Sequence, residues 1–214
     1  MSEDKADPAL KAPRQPSQKR SRERYEKLVE ATRALVLERE ISQIGIYDIA
    51  KKAEVPSASV YHFFPSVEAA LVELSRRQLE RLEQTLTAPM PVPETPFAWQ
   101  DVMALRFWRA VDFYNGDTVA QRLFLSGSVL AAMRRIEDDR TRALAASYHD
   151  LLVPYLPQGM PEGVKRDDFR FRMITAIFEG STMAIYAEHG FLPRERCIEA
   201  LKAMIAYAET FLPK

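Results

Sequence analysis

Polar side chains that can bind bases or phosphates cluster in one short stretch of the chain. They belong to Lys51, Lys52, Ser57, Ser59, Tyr61 and His62. Hydroxyl and imidazole groups can read base edges or hold phosphates, and ammonium groups attract phosphate. Gly45 and Ala58 complete the surface that we expect here. The stretch is therefore a candidate contact surface for duplex DNA.

The spacing of apolar residues around this surface predicts two short crossed helices. The residues that would pack them together are Ile49, Ala53, Val55, Val60 and Phe64, with Ala50 small where the helices approach closely. Pro56 suits the turn, and Ser57 can cap a second helix from about Ser57 to Phe63. In a helix-turn-helix, that second helix enters the major groove with its N-terminal residues on base edges.

Two features of the predicted reading helix leave alternatives open. Tyr61 can contact a base or phosphate, or it can pack, whereas Phe64 is expected in the core. No Arg or Lys lies between Ser57 and Phe63. Phosphate attraction must then come from Lys51, Lys52, the N-terminal segment and backbone N–H groups at the helix start at Ser66.

These residues resemble the DNA-binding segment of the tetracycline-repressor (TetR) family. The match covers about residues 22 to 86 and rests on Asp48-Ile49-Ala50, Ala53, Val55, Tyr61, Phe64, Ser66 and Glu68. The departures are Gly45 for a capping Thr, Glu54 for Gly, Pro56 for Ser, Phe63 for His and Val67 for Lys. The resemblance implies a helical body with an effector pocket. It also implies a dimeric repressor on a near-palindromic operator.

Composition favours one fold class. The 214 residues include seven Gly, long periodic apolar segments and few β-branched runs, so we expect an all-α protein. The lone Cys197 cannot form an internal disulfide, and no apolar run reaches the roughly 18 residues of a membrane span. The polar start lacks the apolar region of a signal peptide. The simplest interpretation is a cytoplasmic protein.

The N-terminal segment is basic although the whole chain is formally neutral. From Pro8 to Arg24, one acidic residue, Glu23, stands against Lys11, Arg14, Lys19, Arg20, Arg22 and Arg24. Pro8, Pro13 and Pro16 cannot supply a core, so we expect residues 1–20 to be a disordered arm. Either the arm is an extension that binds DNA phosphates, or it is a basic tail that only aids solubility or has no role.

Three segments follow the arm. Residues 21–66 are predicted to form the DNA-binding domain, starting with a helix from about Ser21 to Glu40, and residues 67–87 a connecting helix capped by Ser66. The stretch from Ala88 to Pro96 contains four prolines, which break helical continuity. Residues 88–214 are expected to form an effector-binding and dimerisation domain, with Thr95-Pro96 opening a helix that ends at Asn115-Gly116.

The last two predicted helices, about Asp168 to His189 and Pro193 to Phe211, form a hairpin that is apolar on more than one face. One face must pack inside the subunit and the other against something else. The resemblance implies a homodimer through a four-helix bundle at this hairpin. The alternative is that both faces are internal.

The larger domain is rich in aromatic and Met side chains. Most such stripes are core, yet pockets between helices use the same side chains. The candidate ligand-binding residues are Trp99, Met103, Phe107, Phe124, Phe178 and Met183. They predict a mainly apolar or aromatic effector. Asp112 and Glu179 could meet a cationic group, but single helix charges more often face solvent or pair with Arg.

Two other function classes compete with a DNA-binding regulator. Catalysis needs converging groups, but His62, His149 and His189 lie in separate elements and no Gly-rich loop cradles phosphate. We therefore expect no enzyme activity, metal site or cofactor. The second rival is a helical adaptor that keeps the fold without specific DNA reading, which Val67 and the uncharged reading helix make plausible.

Overall fold

Every regular element in the computed structural model is helical within the residues that it describes, which are Pro16 and the ranges 18–89, 97–127 and 131–213. The predicted all-α fold is confirmed. Two compact units divide these residues. The first comprises the described residues up to Glu80 together with residues 131–134, and the second comprises residues 81–127 and 135–213.

The first unit contains the predicted motif. Its elements are α1 (Lys19–Glu38), a 3₁₀ turn (Ile41–Gln43), α2 (Ile46–Lys52), α3 (Ser57–Phe63) and the first part of α4 (Val67–Leu86). The predicted bounds of α3 are confirmed, whereas α1 begins and ends two residues earlier than predicted. Lys19 and Arg20, assigned to the disordered arm, already belong to α1. The rest of the arm, apart from Pro16 and Gln18, lies outside the described residues.

An aromatic cluster holds α1 against α3. Tyr25 is 1% exposed, and its ring lies 5.0 Å from the ring of Phe64 and 5.7 Å, edge to face, from that of Phe63. Val60 and Ile49 are also fully buried, as the helix-turn-helix spacing predicts. The predicted assignment of Phe64 to the core is confirmed.

A buried carboxylate joins α1 to α4 within the first unit. Glu73 is 2% exposed and accepts hydrogen bonds from the guanidinium groups of Arg76 and Arg77 at 2.8–2.9 Å. Arg77 also donates to both oxygens of Glu26 on α1, at 2.5 and 2.7 Å. Burial raises the pKa of Glu73, but the hydrogen bonds from both arginines outweigh it and leave the pKa below its usual value. Burial, followed by the charge of Glu73, raises the pKa of Tyr25.

The second unit starts with the last part of α4. The elements that follow are α5 (Trp99–Gly116), α6 (Thr118–Ala120) with a π-helical turn (Gln121–Leu125), α7 (Ala131–Leu152), a 3₁₀ turn (Val153–Tyr155), α8 (Phe169–His189) and α9 (Arg194–Ala208). Thr95 and Pro96, the predicted start of α5, lie outside the described residues. Phe97 and Ala98 are not helical, so that prediction is wrong. Asp101 instead accepts from the backbone N–H of Ala98 at 3.0 Å.

One side chain and one glycine define two other helix ends of this unit. Asp117 caps α6 by accepting from the N–H groups of Val119 and Ala120 at 2.9 and 3.0 Å. Gly190 ends α8 with a left-handed φ of +73°, a conformation that glycine adopts without strain. Cys197 of α9 is fully buried, and burial raises the pKa of its thiol.

Candidate functional site

The turn between α2 and α3 closes through backbone hydrogen bonds. The N–H of Val55 donates to the carbonyl of Ala50 at 3.0 Å, and the N–H of Glu54 donates to that of Lys51 at 3.2 Å. This pair of bonds is a Schellman motif, whose left-handed position glycine usually occupies. Here Glu54 adopts it with φ +56°. The turn between α2 and α3 therefore contains a strained backbone position.

The predicted reading residues on α3 face solvent to different degrees. Tyr61 is 50% exposed, Ala58 and His62 are exposed, and Ser57 and Ser59 are partly buried. The intervening Val60 and Phe63 are buried, so the helix presents its polar side outward. Because the surface lies open in the described chain, Tyr61 is available to a partner molecule.

The two lysines of α2 have different surroundings. Lys52 forms an ion pair with Glu38 of α1, whereas Lys51 is exposed and makes no ion pair among the described residues. Arg39 pairs with Asp48 at 3.2 Å, and Asp48 also accepts from the N–H of Gly45 at 2.8 Å. These contacts fix α2 on α1. Lys51 is therefore the α2 cation that is best placed to attract phosphate.

One exposed aromatic residue was missed by the sequence analysis. Tyr47, in the first turn of α2 two residues after Gly45, is 74% exposed. Its neighbours Ile46 and Ile49 are buried. Tyr47 lies off the apolar stripe that these two residues define, and this position in the sequence could have predicted its exposure. A phenol held at this position can hydrogen-bond to phosphate or base, as Tyr61 can.

The start of α4 adds backbone donors. The hydroxyl of Ser66 accepts from the N–H of Ala69 at 3.2 Å, which confirms the predicted cap. Glu68 lies in the first turn, where a negative charge suits the helix dipole. Free N–H groups at such a helix start can contact a phosphate.

The second unit encloses a small cavity between four helices. Its apolar walls are Leu82 and Leu86 of α4, Phe107 and Ala110 of α5, Leu144 of α7 and Phe178 of α8. The volume of about 30 Å³ holds one or two water molecules. A small-molecule site typically has several hundred Å³, so a ligand must displace the walls in order to enter.

Residues with polar side chains also line this cavity. They are Arg106, Tyr114, Tyr148, Thr175 and Glu179. Arg106 is 5% exposed, and Tyr148 is 6% exposed. Burial raises the pKa of Tyr148, an effect that the charge of Arg106 partly opposes. A buried cation inside an apolar wall is the least expected feature of the cavity, because helical periodicity alone places Arg at the surface.

The structure brings two of the six candidate ligand residues to the cavity. The rings of Phe107 and Phe178 meet edge to face there, with centroids 5.4 Å apart. Trp99, Met103 and Phe124 are buried away from it, and the indole N–H of Trp99 donates to the carbonyl of Pro213 at 2.7 Å. Met183 is partly buried and does not line the cavity.

The two acidic residues considered for a cationic ligand have different surroundings. Asp112 is exposed and pairs with Arg194 at 2.9 Å. Glu179 is partly buried and lines the cavity.

One face of α8 is left uncovered by the described residues of the chain. Phe171, Ile174, Thr175 and Thr182 are buried, whereas small residues on another side are exposed at Ala176, Gly180, Ala184 and Ala187. Phe169, at the start of the same helix, is 62% exposed. The alternative that both faces are internal to the subunit is therefore wrong for this helix.

No helix among the described residues is long and apolar enough to span a membrane. No protein-family model and no curated sequence matches the chain. Solved structures do match it. A TetR-family transcriptional regulator from Streptomyces coelicolor is 17% identical, with a TM-score of 0.62 over 88% of this chain and 80% of that one. The chain has the fold of the TetR family.

Two further structures with named roles share this fold. The multidrug binding protein EbrR, complexed with imidazole, is 18% identical, with a TM-score of 0.66 over 95% of this chain and 98% of EbrR. The fatty acid degradation regulator FadR from Bacillus halodurans is 13% identical, with a TM-score of 0.62 over 88% of this chain and 94% of FadR. The TetR-like fold thus extends over nearly the whole chain.

Proposed function

We propose that the protein is a ligand-responsive transcriptional regulator, a repressor that binds a palindromic operator as a dimer and is released by a mainly apolar effector. The observation that carries this proposal is α3, with Tyr61 and His62 exposed while Val60 and Phe63 anchor it in the core. A short helix anchored in this way can enter a major groove without unfolding.

The proposed DNA contacts are of two kinds: phosphate contacts that position the protein and base contacts that read the sequence. Lys51, the exposed basic residues at the start of α1 and the N–H groups at the start of α4 attract phosphate. Ser57, Ser59, Tyr61 and His62 read base edges, with Gly45 and Ala58 allowing close approach and Tyr47 adding a hydroxyl. Because α3 has no Lys or Arg, electrostatic attraction comes from the residues around it.

Dimerisation through α8 and α9 gives the regulator its symmetry. The exposed small residues Ala176, Gly180 and Ala184 allow close helix approach, and covering this face removes apolar surface from water. In a two-fold dimer the reading helices lie about one DNA turn apart, or a multiple of it, so the operator is near-palindromic. The α8–α9 surface is thus the proposed homodimer interface.

The effector is proposed to occupy the cavity. EbrR shows that a protein with this fold binds small molecules. Leu82 and Leu86 belong to α4, the helix whose first turn follows α3. A ligand that enlarges the cavity must move these side chains, and it shifts DNA affinity only if it binds the two conformations differently. We expect ligand binding to lower the affinity for DNA and so to release the protein from its operator.

The test is binding to a palindromic fragment selected from random DNA, measured by fluorescence anisotropy across a salt series. Tyr61→Ala is expected to cost about 1 kcal/mol per half-site, which for two half-sites is about 30-fold in affinity. The matched control is Tyr155→Ala, a partly exposed tyrosine of the second unit. Removal of residues 1–20, which carry five basic residues against three acidic ones, should reduce the salt slope, because fewer cations are then available to phosphate.

The adaptor remains the rival hypothesis. It gains if affinity is equal for every DNA sequence and neither Tyr61→Ala nor the truncation changes it. For the effector role, apolar compounds are screened for loss of operator affinity. A compound that binds tightly but leaves operator affinity unchanged contradicts an inducer role.

A further inference from the structure

The cavity contains a buried cation with few partners. Arg106 is 5% exposed and makes no ion pair within the described part of the chain. Its Nη2 donates to the hydroxyl of Ser147 at 2.5 Å. The side chains that contact the guanidinium, Ser147 and Tyr148, are both polar but uncharged, so neither supplies a negative charge. Burial of a charge without an opposite charge is costly, and an anionic partner removes that cost.

Two contacts hold the guanidinium in a fixed orientation. Its Cζ lies 4.4 Å from the ring centroid of Tyr148, which is itself buried. The hydroxyl of Ser147 donates onward to the carbonyl of Leu144 at 2.6 Å and therefore accepts from Arg106. A guanidinium fixed in this way is suited to bidentate binding of a planar carboxylate.

The surroundings of Arg106 determine the rest of the ligand. Leu82, Leu86, Phe107 and Phe178 offer apolar surface next to the guanidinium. Glu179 also lines the cavity, but it is less buried than Arg106 and already has an interaction partner. The more deeply buried charge has the greater need of a counter-ion.

We infer that the effector is an amphiphilic anion, with a carboxylate that pairs with Arg106 and an apolar body that displaces the side chains around Phe107 and Phe178. This inference rests on the proposed effector role of the cavity. It goes beyond the apolar or aromatic ligand expected from the sequence, because it assigns the ligand a charge and an anchoring residue.

The test compares three probes with the same chain length on the full-length protein: decanoate, decanol and decylamine. Affinity is measured by calorimetry below the concentration at which each probe forms micelles. Decanoate is expected to bind at least about 10-fold more tightly than the other two, the range that a charge-assisted hydrogen bond provides. Preferential binding of decylamine would overturn the inference and assign the anchoring role to Glu179.

Substitutions locate the anchor. Arg106→Gln is expected to weaken decanoate binding about 10- to 100-fold and to leave decanol binding within about 3-fold. Arg106→Lys keeps the charge without the planar fork, and should still prefer decanoate to decylamine while binding it less tightly. Arg142→Gln, which removes the same charge from an exposed position on α7, is the control and should change nothing.

The outcomes separate this inference from the proposed function. If decanol binds as well as decanoate and releases operator DNA, the effector cavity stands and the anionic head is refuted. Unchanged decanoate affinity in folded Arg106→Gln and Arg106→Lys also refutes it. If none of the three probes binds while sequence-specific DNA binding persists, the effector role of the cavity fails together with this inference.

Discussion

Glu54 occupies a backbone position that favours glycine, so Glu54→Gly should stabilise the DNA-binding unit. Its φ of +56° costs an L-residue about 1–2 kcal/mol relative to a right-handed conformation. Removing a negative charge at the C-terminal end of α2 adds about 0.3–1 kcal/mol. The greater freedom of glycine in the unfolded chain offsets about 0.4–1 kcal/mol. The expected net gain in unfolding free energy is about 1 kcal/mol.

The assay is urea unfolding monitored by circular dichroism, together with thermal melting. A gain of about 1 kcal/mol raises the melting temperature by about 2–4 °C in a protein of this size. Two variants separate the causes. Glu54→Ala removes the charge and keeps the Cβ, so it should recover only the electrostatic part. Glu40→Gly, at an ordinary φ of −62°, should destabilise by about 0.5–1 kcal/mol.

Two results would refute the reasoning about Glu54. Equal stabilisation by Glu54→Ala and Glu54→Gly would assign the whole effect to charge. A loss of stability in Glu54→Gly as large as that in Glu40→Gly would show that the left-handed turn imposes no strain. Glu54→Gly also tests whether the strained turn contributes to DNA binding. If the variant keeps the turn geometry, its operator affinity should stay within about 2-fold of wild type.

Two further predictions concern charges. Glu73→Gln should cost about 2 kcal/mol, since it weakens the charge-assisted hydrogen bonds from Arg76 and Arg77. The cost is limited because both arginines are partly exposed and keep a second carboxylate, Glu80 for Arg76 and Glu26 for Arg77. The folded pKa of Glu73 lies below its unfolded value, so wild type should lose this stability as the pH falls below about 4.5. Glu73→Gln should lose less stability over the same pH range. Identical acid unfolding curves for the two proteins would contradict this. Lys51→Gln should lower the salt slope of operator binding by about 1 per subunit. Lys52→Gln should lower the slope less, because Lys52 already pairs with Glu38. Equal slopes for the two variants would argue against Lys51 as the main phosphate-binding lysine of α2.

The sequence predicted helix ends best where a single side chain or glycine determines them. Pro56 and Ser57 mark the start of α3, and Gly190 marks the end of α8 through its left-handed φ. The start of α5 was predicted wrongly because Thr95-Pro96 is a stronger local signal than Ala98 and Asp101. The cap there depends on a carboxylate that reaches back to the Ala98 N–H, and that geometry is visible only in the folded chain.

Candidate sites were harder to predict than helices. Helical periodicity identified Phe107 and Phe178, which share a cavity, but it could not show which of several aromatic stripes would leave space between helices. Arg106 was missed because a charged residue is normally assigned to the surface, and its burial depends on Tyr148 and Ser147 of α7. Tyr47 was missed because exposure on a seven-residue helix depends on how that helix packs.

The buried position of Cys197 makes the protein convenient for spectroscopy. It is the only cysteine in the chain, its side chain is inaccessible, and its thiol is held in the protonated and therefore poorly nucleophilic form. Glu83→Cys on the exposed side of α4 would create a single accessible thiol for a nitroxide or fluorophore, with the native cysteine left in place. In a symmetric dimer, two such probes would report the distance between the two α4 helices directly, with and without effector.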